Sequence, residues 1–471
     1  MTIRQASNDT VGDETTASGG GGAPAPSATT AATTTASREP GTAATLAVAP
    51  ASGGAPAGGL RGWQLGVLAA GTFTLGVDGF VLSGLLPSIS RDLSVGVSTA
   101  GQLTTIFSIT YAVASPVVAT LTGRYDRRVL LGGGLVLFLL GMVAQALAPS
   151  YAVMATGRAF AAVGAAAFQS NAYIMAGVLA GAERRGRALA AVTAGTSLST
   201  VLGVPFGVLI GQWFGWRTVL WIITGLAALT ALCVLRLPAA HVPQTSMRTR
   251  LGVLTRTPVL LVLLTTVVLV AAPIMLITYL PVVLDMDSTD TSLVLVLLAF
   301  GAGSLIGNRV VGRLVDSRGA LPVLLLGAGG MTCAFTVLIG TQAWYGAAMV
   351  TMFAVGAFQG LSITPQQHRL FVVAPDVSAV ALGLNGSAIY AGAAVGAALG
   401  GLTVDLSGAS TIPAAAALLG AAAFVYSTLS APERRQDRQG RPAGSPAHPA
   451  EGAGVTLPHP STPTMRTRPS K

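Results

Sequence analysis

Lysine is all but missing from this chain of 471 residues: of its 27 basic side chains, Lys471 alone is a lysine. A phosphate-gripping loop needs a lysine just after its glycines to reach the nucleotide, so the chain has no ATP-driven motor of its own. Charge of either sign is scarce too. Only 9% of residues are charged, where a soluble domain carries about a quarter. With 52% hydrophobic residues and a mean hydropathy of +0.67, the chain reads as a membrane protein. Its net charge of +10 could suit nucleic acid. The basic residues, however, are scattered through short loops and a tail, the pattern of membrane orientation, so no nucleic-acid partner is expected. Cysteine and histidine are nearly absent as well. Cys233 and Cys333 lie in apolar runs and read as core residues rather than a disulfide. His241, His368, His448 and His459 fall in loops or tails without ligand spacing, so neither a metal nor a cofactor is expected.

What is abundant is long apolar sequence. Residues 1–60 are Ala, Thr, Gly, Ser and Pro, too poor in large apolar side chains to fold, and read as a disordered tail rather than a signal peptide. Residues 431–471 read as a second disordered tail, richer in arginine. Between them lie twelve apolar runs able to cross a core about 30 Å thick. They fall near 64–87, 101–122, 129–148, 151–180, 186–211, 217–237, 258–284, 291–312, 320–341, 344–364, 378–402 and 411–430.

An even number of crossings puts both tails on one side. If that side is the cytoplasm, thirteen loop arginines lie inside and two, Arg91 and Arg217, outside, a strong positive-inside bias. The expected setting is therefore the plasma membrane with both termini cytoplasmic. "ATLTGRYDRR" (119–128) after the second run and "GRLVDSRGAL" (312–321) after the eighth repeat at an offset of 193 residues. The simplest account is an all-α integral membrane protein of twelve transmembrane helices in two six-helix pseudo-symmetric halves, 61–237 and 258–430. A cytoplasmic central loop, 238–257, read as mostly irregular, joins them. Proteins so duplicated commonly hold a substrate between the halves.

The motifs resemble those of the major facilitator superfamily over roughly residues 62–430. "GRLVDSRG" is similar to its loop signature at Gly312, Leu314 and Asp316. "LTGRYDRR" keeps Arg124, Arg127 and Arg128 but has Gly123 where an aspartate is usual. "RAFAAVGAAAF" from Arg158 resembles the fourth-span motif with an intramembrane arginine. "LGVPFGVLIG" (202–211) resembles the fifth-span motif of proton-coupled drug exporters, with Val204 between the usual Gly and Pro. Further phrases such as "GFVLSGLLPSISRDLSV" resemble a twelve-span drug:proton antiporter branch that includes chloramphenicol and sugar exporters. The resemblance implies alternating access and no catalytic activity.

Asp78 lies inside the first apolar run, where a carboxylate costs roughly 2.5–3.5 kcal/mol and calls for a partner or a cavity. Counted from the outer ends of their runs, Asp78 is about 13 Å deep and Arg158 about 10 Å, so the two can pair. Asp78 is expected to carry the proton and Arg158 to reset it; a purely structural pair is the alternative. Asn308, Gln359, Asn385 and Tyr390 are intramembrane polar groups that could orient a substrate, or bond one helix to another. Arg124, Arg127, Arg128, Gly312, Arg313, Asp316 and Arg318 are expected to form a charged cytoplasmic gate, or else to anchor loops at headgroups. Gly203, Pro205, Gly207 and Gly211 supply a helix bend and close packing, and Gly392, Gly396 and Gly400 packing alone. The function expected is proton-coupled export of a small amphipathic antibiotic, chloramphenicol-like, by a monomer. Export of a sugar, nucleoside or amino acid, or a transport-dead sensor, are the alternatives.

Overall fold

The computed structural model describes residues 62–122, 125–240, 247–285 and 292–430, and its regular elements are all helical. Hydrocarbon offers the backbone no hydrogen-bond partner, so a spanning segment must satisfy its own N–H and C=O groups, and helix does this. Among the described residues, twelve spans are long and apolar enough to cross. The first four are α1 (Gly62–Asp92), α2 (Val97–Leu121), α3 (Arg127–Ala146) and α4 (Tyr151–Leu179). The fifth joins α5 (Gly181–Leu198) through a π-helical turn, Ser199–Gly203, to α6 (Val204–Phe214); α7 (Trp216–Val234) is the sixth. A short α8 (Met247–Leu254) precedes α9 (Thr257–Val283), α10 (Ser292–Arg318) and α11 (Ala320–Thr341). The tenth span breaks into α12 (Tyr345–Gly360) and α13 (Ile363–Val373), and α14 (Ser378–Ser407) and α15 (Ile412–Leu429) complete the set. Both tails, expected to be disordered, lie outside the described residues.

Packing repeats between the two sets of six. Spans 1 and 5, 2 and 4, 3 and 4, 3 and 6, and 1 and 6 are paired, and so are 7 and 11, 8 and 10, 9 and 10, 9 and 12, and 7 and 12. The sets meet along α2 with α14, α1 with α9, and α10 with the π-helical turn and α6. Side chains turned away from these contacts are large and apolar: Leu140, Leu229 and Leu418 are exposed, as bilayer-facing residues should be. Cys333 shares this exposure and Cys233 is half-buried, so neither is the enclosed core residue expected; both are free.

Small residues bring the helices together. Gly203, Gly207 and Gly211 turn toward α1, where a Cβ on each would run into Val77, Val81 and Leu85. In return, Gly76 faces Ser199 and Gly84 faces Val208, while Thr72 Oγ1 donates to the Val192 carbonyl at 2.8 Å. Pro205, lacking an N–H, stands in the first turn of α6, directly after the π-helical turn. Gly392, Gly396 and Gly400 play the same part between α14 and α9.

Two expectations change. The "GRLVDSR" stretch is not a loop but the last two turns of α10, which Gly319 ends at φ +85°, a conformation that side chains disfavour. The central segment is not mostly irregular where described: Met247–Leu254 is helical because buried Val253 and its neighbour Leu254 pack with Val259, Val262 and Leu370.

The glycine contacts differ in what they can yield. At Gly396 a new Cβ would lie 3.0 Å or less from the Ala271 backbone, whereas at Gly203 it would meet the valine side chain of Val77. Backbone in a packed helix cannot step aside. Gly396→Ala should therefore lower stability by about 1–3 kcal/mol, and by more than Gly203→Ala, as read by thermal unfolding of the two variants in detergent.

Candidate functional site

Asp78 and Arg158 are both fully buried, on α1 and α4. Arg158 Nη1 donates to Asp78 Oδ1 at 2.9 Å and to the Asp78 carbonyl at 3.3 Å, and Nε donates to the Leu103 carbonyl at 3.4 Å. The guanidinium also lies over the Phe107 ring, 4.3 Å from its centroid. Thus α4 holds α1 and α2 through one side chain. Two buried atoms of the pair, Asp78 Oδ2 and Arg158 Nη2, have no hydrogen-bond partner.

A cavity of about 210 Å³ lies between the two sets of six spans. Phe80 of α1, Ile274 and Ile277 of α9, and Leu297 and Phe300 of α10 make its wall largely apolar. Its polar groups are Thr196, Thr200, Ser304, Asn308 and Gln359, all neutral. It touches both irregular points of the helices: Thr200 lies in the π-helical turn of the fifth span, and Gly360 and Ile363 flank the break in the tenth. Broken spans commonly line binding sites, because irregular backbone is tolerated where it borders a cavity.

Toward the span ends on the other side from Gly62 and Leu429, α2 is tied to α9 and α14. There Ser98 Oγ donates to the Gly401 carbonyl at 3.0 Å and to Asp405 Oδ2 at 2.8 Å, and Gly101 and Gly401 leave room for Tyr279. α10 meets the fifth span at the π-helical turn and at α6, its part farther from the tail side, while nearer that side Asn308, Gly312, Arg313 and Asp316 of α10 are exposed.

Of the residues expected to orient a substrate, Asn308 and Gln359 line this cavity and two others do not. Asn385 accepts from Thr266 Oγ1 at 2.8 Å, joining α14 to α9. Tyr390 stacks on Tyr111 near the ion pair. The sequence does not single out Thr196 and Thr200, because hydroxyls are common in spans and usually bond their own backbone; the four-residue step from Ser304 to Asn308 is the signal it carries.

The charged gate is not assembled in this conformation. Arg127 is buried and donates from Nη1 to Asn171 Oδ1 at 2.9 Å, on its own set of spans. The Arg128 backbone N–H is taken by Asp126, which also binds the Ala240 N–H. Among the described residues, no ion pair joins Arg127 or Arg128 to Asp316, the one carboxylate of the expected gate. Arg124 lies outside the described residues. Just ahead of α9, Arg256 makes a two-pronged bond to Asp376 at 2.8 Å, which raises its guanidinium above the usual arginine range.

The family model described as Major Facilitator Superfamily matches residues 68–388 and again 295–464. A chloramphenicol resistance protein of Streptomyces lividans is 36% identical over 275 residues, covering 55% of this chain and 70% of its own. YbcL, an uncharacterized MFS-type transporter of Bacillus subtilis (strain 168), is 32% identical over 356 residues, covering 73% and 89%. A solved D-xylose–proton symporter shares the fold, with a TM-score of 0.64 at 16% identity over 77% of this chain and 96% of its own.

Removing one member of a buried ion pair strands the other's charge. Asp78→Leu or Arg158→Met alone should each lose about 3–5 kcal/mol of stability, while the double variant should lose less than either. Thermal unfolding of the three proteins checks this; additive losses would mean that the pair is not coupled.

Proposed function

This chain belongs to the major facilitator superfamily and is a multi-pass membrane transporter, and we propose that it exports a small, uncharged, amphipathic antibiotic of the chloramphenicol type in exchange for protons. One observation carries the substrate reading. The cavity between the two sets of spans is apolar and aromatic, with five neutral polar side chains and no charged one. Such a lining favours a neutral molecule with an apolar ring and a few hydrogen-bonding groups. A free sugar, with a hydroxyl on nearly every carbon, would leave several groups unpaired against Phe80, Ile274 and Phe300. The Streptomyces lividans relative, described as a chloramphenicol resistance protein, supports the same choice.

The proton reading rests on Asp78 and Arg158. The cavity is parted toward the tail side, which the arginine bias assigns to the cytoplasm. Substrate enters there and rests against Asn308 and Gln359. The halves then rock, and the exposed Arg313 and Asp316, with Arg127, Arg128 and Arg318, come to close that side. Asp78 does not line the cavity, so proton and substrate do not compete for one position. Their link is α1 itself, which carries both Asp78 and, two residues on, the cavity residue Phe80. Protonation of Asp78 releases Arg158, loosens α1 from α4 and moves the cavity wall. The transporter works as a monomer.

Expression in a drug-hypersensitive bacterium should raise resistance to chloramphenicol or a related neutral antibiotic, and growth across an antibiotic panel reads it. Asp78→Asn should abolish uptake driven by a pH gradient in inverted vesicles while retaining substrate binding that no longer varies with pH. Asp316→Asn should slow transport strongly with binding near normal. Cysteines placed singly in either tail should resist an impermeant thiol reagent in intact cells, and labelling there would reverse the orientation.

A further inference from the structure

Tyr390 bridges the two sets of spans at the ion pair. Its ring lies 3.6 Å from that of Tyr111, centroid to centroid and 23° from parallel, and 6.3 Å from Phe107. Tyr111 is buried on α2, one turn from Phe107, and Phe107 carries the Arg158 guanidinium on its face. A line of contacts therefore runs from the Asp78 carboxylate through Arg158, Phe107 and Tyr111 to α14, which belongs to the other six spans. The titratable groups gathered here are Asp78 from α1, Arg158 and Tyr173 from α4, Tyr111 from α2 and Tyr390 from α14. Within this cluster Arg158 Nη2 is buried and without an acceptor.

We propose that Tyr390 is the positioning residue through which the protonation state of Asp78 reaches α14. While Asp78 is charged, its carboxylate and the Phe107 face hold the guanidinium. When Asp78 takes up a proton its charge vanishes, yet arginine stays cationic and needs another acceptor. The Tyr390 hydroxyl oxygen accepts from the freed guanidinium, and the stack on Tyr111 keeps that oxygen at the seam between α2 and α14. Arg158 then pulls on α14 instead of α1, so the two sets of spans sense the proton together. This inference rests on the proton-coupling reading above.

The test measures the tail-side gap directly. In a Cys233→Ala, Cys333→Ala background, Arg187→Cys on α5 and Ser317→Cys on α10, both exposed positions, carry spin labels in the full-length purified protein. In the parent, the distance between labels should change with pH, and Asp78→Asn should abolish that change. Tyr390→Phe keeps the ring and its stack but loses the hydroxyl. It should displace the midpoint by at least tenfold in proton concentration or abolish the response, and should lower kcat with KM unchanged. Tyr390→Leu should do the same. A Tyr390→Phe protein that tracks the parent's pH response overturns the proposal. So does a raised KM with an unchanged pH response, which would make Tyr390 a substrate contact. A parent whose gap ignores pH would instead overturn the proton-coupling reading itself.

Discussion

A backbone amide in hydrocarbon has no water to turn to, and every described span follows from that constraint. Helix answers it within each segment, but helices so formed have little hydrophobic reason to stick together, since lipid is as apolar as leucine. Association then has to come from close fit and from polar groups with no better partner. Both are present here. Glycines let α1 approach the fifth span and α14 approach α9, and a single buried arginine ties α1, α2 and α4 together. The few polar side chains are therefore informative: each is expensive where it stands, and those described above bond one helix to another, pair with an opposite charge or line the cavity.

That economy explains what could be read from the residues alone. Twelve spans were legible because apolar runs of this length have few other uses. The Asp78–Arg158 pairing was legible because two unlike charges at matched depth have little alternative. Span ends were less so: residues 312–318 carry charges that look like loop, although a helix may run past the hydrocarbon into headgroups without cost. Asn385 and Tyr390 show the harder limit. Their residue types announce a polar role, but whether a group faces a cavity or a neighbouring helix depends on partners, Thr266 and Tyr111, more than a hundred positions away in the chain. Of the cavity hydroxyls, Ser304 stands one helical turn from Asn308, whereas Thr196 and Thr200 are chemically like the many that bond their own helix.

The separation of cavity from ion pair also shapes what kind of transporter this can be. A site that offers neither cation nor anion to its cargo selects by shape and by neutral hydrogen bonds, so related molecules of similar size can share it. On the proposed reading, the charge-sensitive step is kept apart at Asp78, so recognition and energy input can vary separately, and the cargo can change by altering residues such as Phe80 or Gln359 without disturbing Asp78.

The π-helical turn at Ser199–Gly203 has a geometric effect on the whole fifth span. From Val192, which meets Thr72, to Gly211, which meets Leu85, the chain advances nineteen residues. At 100° per residue an unbroken α-helix would finish about 100° beyond five full turns. Gly211 would then point away from α1. One extra residue wound into the π-helical turn absorbs that rotation. The fifth span thereby keeps a straight seam against α1 along nearly its full length, as a leap day keeps a calendar in step with the seasons.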